Sequence, residues 1–423
     1  QCNVKCVLTN KMGVGTFRAP GRYESCFIRE RLLDMMAADL DIDPTELRLK
    51  NFIASEEMPY NIGRTRFEGD TVFDSGDYAS ALRRTLEEAD YEGLKEVQGQ
   101  LVEGKYHGVG IASFVKNTGR GPDESARVVV RASDDIAVFL GITTLGQGHE
   151  TTMAQICADS LGVPIDGIRV YHGTTDYMPD SHGTFGSRGT VMAGSAIHLA
   201  CEELRENILN IASDRLDVNP SELEFSGGQV YGRGSPAPLL SLDNILEMAA
   251  ASDPSDLGEL GLEATGYFEA PGLTYAYGSH LTHVAVDPET GQIEVLKYVV
   301  VEDIGRCINP MVVHGQAVGG AVQGIGATLL EELVYDDNGQ LLSGSFMDYL
   351  LPTSMEAPPI DSIILEEAPS PLNPLGVKGA GEGGIVATGA ALANAVSHAL
   401  FSLGVQVRQL PLTPNRVKEL IDG

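Results

Sequence analysis

The chain has 423 residues, 43% of them hydrophobic, with 59 acidic against 29 basic side chains for a formal charge of −30. That length predicts two or more units, and so acidic a balance excludes nucleic acid and anionic membrane as expected partners, since basic surface binds both. No apolar run reaches the length of a membrane span and no signal-peptide pattern opens the chain, which sets the expectation of a cytoplasmic protein. The six cysteines (Cys2, Cys6, Cys26, Cys157, Cys201 and Cys307) are scattered without a C-x-x-C pair and read as ordinary thiols, not as a metal site or disulfide frame. The first residue is Gln1 rather than Met, so the chain is expected to be processed, trimmed or cut from something longer.

In chain order, Val4–Leu8 reads as a strand, and Gly13–Arg22 as a Gly/Pro loop holding Arg18 and Arg22. Arginine in such a loop is either a bidentate donor to an oxyanion or phosphate, or a plain surface residue. Helices are predicted from about Cys26 to Leu40 and over Tyr78–Ala89. Strands Arg127–Arg131 and Ile136–Thr143 form a hairpin across Ser133-Asp134-Asp135. The second strand runs into Gly141–Glu150, where Gln147 stands between Gly146 and Gly148 ahead of a helix from about Thr151 to Leu161. Strand, glycine turn and helix start present backbone N–H groups and one amide to a ligand. His149 and Glu150 lack the second His, four residues on, that a zinc helix would show. Ser181–Ala196 leads with hydroxyls, glycines and Arg188 into a helix over about Val191–Leu209, as either a phosphate seat or a capping loop. A weak echo at 38–44, 158–164 and 213–220 closes a helix and turns through Pro toward a strand (Glu46–Leu49, Gly167–Val170, Glu222–Phe225), a unit of an α/β sheet.

Residues 226–262 read as a polar, variable segment, after which Tyr275–Val286 and Gln292–Glu302 form a second hairpin across Asp287-Pro288-Glu289-Thr290-Gly291. The helix that follows, His314–Leu330, is studded with glycine. Each costs roughly 1 kcal/mol there relative to Ala, so their number marks close approach of backbone or a cofactor. Gln323 is its polar candidate. The chemical centre is Gly376–Ala399. Gly379, Gly381, Gly383 and Gly384 let backbone pass close to a ligand, and small apolar residues from Ile385 onward predict a buried helix. Glu382, between two glycines near that helix's N-terminus, is favoured in its ionised form and so is a candidate base. Gly379, Gly381 and Gly384 also fit G-x-G-x-x-G, but a dinucleotide site needs a strand before it and an acid about 20 positions on. Here Pro371, Asn373 and Pro374 precede it, and Ser397–Gln406 holds no acid. A glycine-rich packing turn is the other reading.

Six pieces then stand in order: Phe17-Arg18-Ala19-Pro20-Gly21-Arg22, Leu145-Gly146-Gln147-Gly148, Gly183-Thr184-Phe185-Gly186-Ser187-Arg188, Asp303-Ile304-Gly305 with Ile308-Asn309-Pro310, Gly319–Gly326, and Gly379-Ala380-Gly381-Glu382-Gly383-Gly384. In that order they resemble the molybdenum hydroxylases, the xanthine dehydrogenase, aldehyde oxidase and carbon monoxide dehydrogenase group, in their molybdopterin-binding subunit. The resemblance implies an α/β (α+β) fold of mixed sheets with helices. Residues 1–104 would end a first molybdopterin-binding domain and 105–423 would form a second. It implies a molybdenum–molybdopterin cofactor in the cytosine dinucleotide form, its metal held by the pterin dithiolene and no side chain. Glu382 would be the catalytic base, with Arg18, Phe17 and Ala19 bordering the metal. Gln147, with Gly146 and Gly148, and Gln323 would hydrogen-bond the pterin and the metal's oxo group. Thr184, Phe185, Gly186, Ser187 and Arg188 would seat the phosphate, and Lys378, Gly379 and Gly381 would touch the cofactor.

The implied reaction inserts water-derived oxygen at an electrophilic C–H of an aromatic N-heterocycle or an aldehyde. The chain departs from the family's pattern in three places. Carbon monoxide enzymes have Cys directly after the active-site Arg, where Ala19 stands, and xanthine-type enzymes have Phe two residues after it, where Pro20 stands. The family's upstream half is missing, as in anaerobic nicotinate dehydrogenases, which are similar in dividing this subunit. The expected partners are therefore an N-terminal half-subunit, a [2Fe-2S] subunit and an FAD subunit, in a dimer of hetero-oligomers. A non-catalytic assembly half is the alternative, and retention of Glu382 argues against it.

Overall fold

The computed structural model describes residues 5–65, 69–178, 181–252 and 261–423. Its centre is a strand whose sequence conceals it. Lys105–Thr118 pairs antiparallel along its length with Thr274–Val286, from Thr118↔Thr274 to Tyr106↔Val286. Thr274–Val286 pairs in turn with Ile293–Asp303, across a turn in which the Asp287 carboxylate accepts the N–H groups of Glu289 and Thr290. Ile360–Leu365 adds a parallel edge and Leu101–Val102 the opposite one, giving a five-stranded mixed sheet. The second sheet orders Leu262–Phe268, Glu124–Ala132, Asp135–Leu140 and Ile168–Tyr171, the last joining in parallel.

Each sheet is covered by one buried helix brought into backbone contact through glycine. Helix Thr388–Ala399 lies on strand Lys105–Thr118, where a Cβ at Gly108 or Gly110 would collide with the carbonyl oxygens of Ala395 or Ala391. Helix Ser195–Leu216 lies on Leu262–Phe268, where a Cβ at Gly266 would strike the Ala196 carbonyl. The two largest core clusters sit beneath these helices, around Val138, Ile156 and Leu204 in one and Val284, Val300 and Leu392 in the other.

Helices Arg22–Leu40 and Pro44–Asn51 are tied down by a buried ionic network. Arg48 Nε meets Glu30 Oε2 at 2.8 Å, and Arg48 Nη1 reaches Asp34 at 3.4 Å. Asp34 also meets His398 Nε2 at 2.7 Å, and Arg31 donates to Asn394 Oδ1 at 2.6 Å. Burial alone would lower the His398 pKa, but the Asp34 charge outweighs it and raises it. Buried charges paired this fully join the opening helices to helix Thr388–Ala399, because removing one partner strands the other.

Four expectations change. Glu46–Leu49 is helical, since Asp43 caps Pro44 by accepting the Thr45 N–H at 2.8 Å and proline suits a first helical position. Residues 226–262 hold strands Gln229–Gly232 and Pro238–Ser241 and helix Leu242–Ser252. Val4 lies outside the described residues, and Lys5–Leu8 form no strand. The buried helix after Ile385 comes in two pieces, Gly383–Val386 and Thr388–Ala399.

Two glycine substitutions should act with opposite sign. Gly110→Ala forces a methyl into the Ala391 backbone and should cost about 2–3 kcal/mol. Gly315→Ala, in helix Pro310–Leu329 with nothing within 4 Å of its Cβ position, should stabilise by roughly 0.5–1 kcal/mol. Denaturant unfolding of both variants checks the pair.

Candidate active site

Between the two sheet-and-helix units runs the loop from Gly376 to Glu382. Val377 bridges to Gly305, the Lys378 N–H donates to Ile304 O at 2.7 Å, and the Gly379 N–H to Thr118 Oγ1 at 2.9 Å. Gly379 lies against Ser187 so closely that a Cβ there would collide with the Ser187 carbonyl. The loop is thus clamped to the five-stranded sheet and packed against the Ser187 loop of the other unit before it delivers Glu382, whose residue caps helix Gly383–Val386.

Glu382 is 9% exposed and its two oxygens are unequally engaged. Oε1 accepts the Ala19 N–H at 3.1 Å. Oε2 accepts from the Lys116 ammonium and from Ser187 Oγ at 2.6 Å, and Lys116 Nζ also reaches Ser187 Oγ at 3.2 Å. Burial would raise the carboxyl's pKa, but the Lys116 charge and these hydrogen bonds overcome it and hold Glu382 below the usual carboxylate range. Lys116 is lowered by its own burial, against the pull of Glu382. Arg18, lowered by its own burial against the pull of the Glu382 charge, donates from Nε to Gly381 O at 2.7 Å. Its Nη2 donates to Gln316 Oε1 at 2.9 Å. The arginine therefore grips the loop next to the base.

Of the sequence-predicted residues, Arg18, Gly146, Gln147, Thr184, Phe185, Gly186, Ser187, Arg188, Lys378, Gly379, Gly381 and Glu382 line one cleft of about 750 Å³. Phe17, Ala19, Gly148 and Gln323 do not. Phe17 stacks edge-on against Tyr23, and Ala19 contributes its backbone N–H from a left-handed φ of 60°. Gly148, at φ 72°, lies against Val312. Gln323 is displaced by helix pitch: it sits two turns, roughly 10 Å, beyond Gln316 on the same helix, and Gln316 lines the cleft.

Two arrangements differ from the phosphate-seat reading. The buried Arg188 guanidinium pairs with Glu124 Oε2 at 2.6 Å and donates to the carbonyls of Arg120, Gly183 and Asp123, so it shapes the loop from inside. Thr184 Oγ1 donates to Thr143 O at 2.6 Å, stitching the 181–189 loop to the Gln147 loop, and Ser187 serves Glu382. Gln147 Oε1 accepts the Leu145 N–H, which leaves its amide nitrogen 3.4 Å from His149 Nδ1. The Lys378 ammonium turns to Ser75 O at 3.1 Å, with the Tyr277 ring beneath it. Glu150 pairs with His172 at 3.0 Å, away from His149.

Lys116 and Gln316 escaped the sequence reading. A lysine directly after the apolar pair Phe114-Val115 was the available signal for the first. Gln316 and Gln323 share a helix face, so only proximity to Arg18 separates them. The cleft offers amides, hydroxyls and closely packed glycine backbone, with Arg18 beside them, a donor set that fits a hydrogen-bonding organic cofactor.

Known proteins resemble the chain in sequence and in overall fold. Two family profiles described as a molybdopterin cofactor-binding domain match residues 1–52 and 84–358. The chain is 38% identical over 99% of its length to the 6-hydroxypseudooxynicotine dehydrogenase complex subunit gamma of Paenarthrobacter nicotinovorans, covering 52% of that protein. It is 34% identical over 98% of its length to the carbon monoxide dehydrogenase large chain of Hydrogenophaga pseudoflava, covering 53%. The crystal structure of quinoline 2-oxidoreductase from Pseudomonas putida 86 superposes with a TM-score of 0.88 at 34% identity, over 97% of this chain and 53% of that one. The chain spans about half the length of the relatives it matches.

Replacing Lys116 by Met should raise the Glu382 carboxyl, because the close opposite charge that depresses it is gone, whereas Lys116→Arg should keep most of the depression. Stability should follow the same sign. The pair's contribution is present above the unfolded carboxyl pKa and is lost as pH falls through the depressed one, so the Met variant should lose its excess acid sensitivity relative to wild type. Carbon-detected NMR titration of labelled glutamate measures the first effect, and acid unfolding the second.

Proposed function

Because the chain belongs to the molybdopterin cofactor-binding family that includes the large subunits of carbon monoxide dehydrogenase and xanthine dehydrogenase, we propose that it is the base-bearing part of a molybdenum hydroxylase acting on an aromatic N-heterocycle or aldehyde. One observation carries this reading: an ionised, nearly buried carboxylate whose Oε1 holds a single N–H donor while Oε2 holds two. A carboxylate oxygen has two lone-pair positions, so Oε1 keeps one for a proton.

The residues lining the cleft would hold the molybdenum–molybdopterin cofactor, in its cytosine dinucleotide form, against the Gly379–Gly381 and Gln147 loops. When bound, that group supplies the redox chemistry, taking two electrons from the C–H bond that is hydroxylated while water provides the oxygen. Glu382 accepts at Oε1 the proton that the water-derived oxygen releases as it bonds to carbon. Lys116 keeps Glu382 charged before that transfer, and Ser187 and Ala19 fix its direction. Arg18 holds the Gly381 carbonyl and adds positive charge beside the reacting centre. Ala19 in place of Cys disfavours a carbon monoxide substrate, and the names of the nicotine-derived and quinoline relatives support a heterocycle.

We further propose that the active enzyme combines this chain with a polypeptide equivalent to the other half of its relatives, together with [2Fe-2S] and FAD subunits. The gamma-subunit and large-chain names of the relatives support this assembly.

Glu382→Gln should lower turnover by about 10²–10⁴-fold, the range for a lost general base, while molybdenum and pterin content stay unchanged; wild-type turnover in this variant would refute the assignment. The isolated chain should show no turnover, and mixing it with the complementary subunits should restore it. Metal analysis and steady-state kinetics read both outcomes.

A further inference from the structure

Strand Ile293–Asp303 places one more acid behind the base. Glu302, next to last in the strand, is fully buried, and neither of its carboxyl oxygens has a hydrogen-bond partner among the described residues. Its backbone pairs with Gly278 on one side and Ile364 on the other. Its side chain is directed at Gly383, the residue after the base, where a Cβ would collide with Glu302 Oε2 and come within 3.3 Å of the Phe114 ring. A carboxylate enclosed without donors is strongly disfavoured against the neutral acid. The charges acting on it are Arg18, from the loop before helix Arg22–Leu40, and Asp303, its neighbour on the strand. Ionisable groups on the surrounding elements include Lys378 and Glu382 of the glycine loop, Lys116 of strand Lys105–Thr118, and Tyr275, Tyr277, His280 and His283 of strand Thr274–Val286.

We propose that Glu302 is a positioning residue that serves the site as the uncharged acid, leaving the Arg18 guanidinium to Gly381 and Gln316 and so fixing the loop that carries Glu382. Ionised, it would become an unpaired buried anion competing for Arg18, and the pull would draw Arg18 off the Gly381 carbonyl. Gly383 belongs to the same device, because the neutral carboxyl occupies the space a side chain there would need. The proposal rests on the reading of Glu382 as base.

Burial pushes the Glu302 carboxyl up to about 8, with the Arg18 charge opposing and Asp303 adding to the rise. The acid form, and with it the grip of Arg18, is therefore present below that pH and lost as pH rises through it. Infrared difference spectra of the full chain between pH 7 and 9 should show a protonated-carboxyl C=O stretch that titrates away in the wild type and is absent from Glu302→Gln. In the assembled, cofactor-loaded enzyme, wild-type turnover should fall about tenfold across that interval, as one ionisation near 8 requires. Glu302→Gln, neutral at every pH, should stay within about twofold. If Gln fails to fold there, Glu302→Met supplies the neutral side chain of similar length. An infrared band that survives in Glu302→Gln, or an unchanged turnover profile in the neutral variants, would overturn the proposal. Failure of the Glu382 assignment would leave the infrared band in place, so the two readings fail separately.

Discussion

A carboxylate stays ionised when nearly buried only where protein donors take the place of water, and Glu382 draws its donors from three stretches far apart in the chain. Ala19 lies in the loop before the first helix, Lys116 at the far end of the central strand, and Ser187 at the start of the helix on the other sheet. The charge therefore exists only once both sheets and the opening segment have come together. The glycine loop follows from the same requirement: it must slide past Ser187 and Glu302 with no side chain in the way to bring the carboxylate to that meeting point.

The supporting layers answer a similar demand for closeness. Helix Thr388–Ala399 and helix Ser195–Leu216 each touch their sheet backbone to backbone, at Gly108 and Gly110 in one case and Gly266 in the other. On its outer side helix Thr388–Ala399 is braced by the Arg48–Glu30–Asp34–His398 network, whose charges would be costly if any one partner withdrew. Base, helix and opening helices are thus tied together by direct contacts, and precise placement of a reacting group needs such ties.

Much of this was legible in the residues. Periodicity and turn chemistry located both hairpins and the long helices, and the ordered glycine motifs picked out part of the lining of the cleft, from Arg18 and Gln147 to Ser187 and Glu382. The central strand was not legible. Gly108, Gly110 and Ser113 break its apolar pattern, and the glycines are there because a helix must approach, a fact local propensity does not contain. Lys116 went unseen for the same reason, since a lysine becomes a partner for Glu382 only after the strand is in place. Glu46–Leu49 failed differently: the Pro turn that elsewhere leads to a strand here began a helix, because Asp43 supplied a cap. Gln323 and Gln316 carry the same signal one heptad apart, and tertiary distance alone decides between them.

The cationic side chains that line the cleft, Arg18 among them, belong to a chain of formal charge −30. An anionic ligand diffusing toward this chain first meets a repulsive long-range field and feels Arg18 and its neighbours only at close quarters. Salt screens interactions beyond about 8 Å at physiological ionic strength and reaches buried groups far less. Capture of an anion by this chain is thus helped by moderate salt, the reverse of the ordinary dependence for a protein that advertises its positive charge at the surface. Such an exterior slows the approach of polyanions by repulsion alone, whatever the chemistry of the cleft behind it.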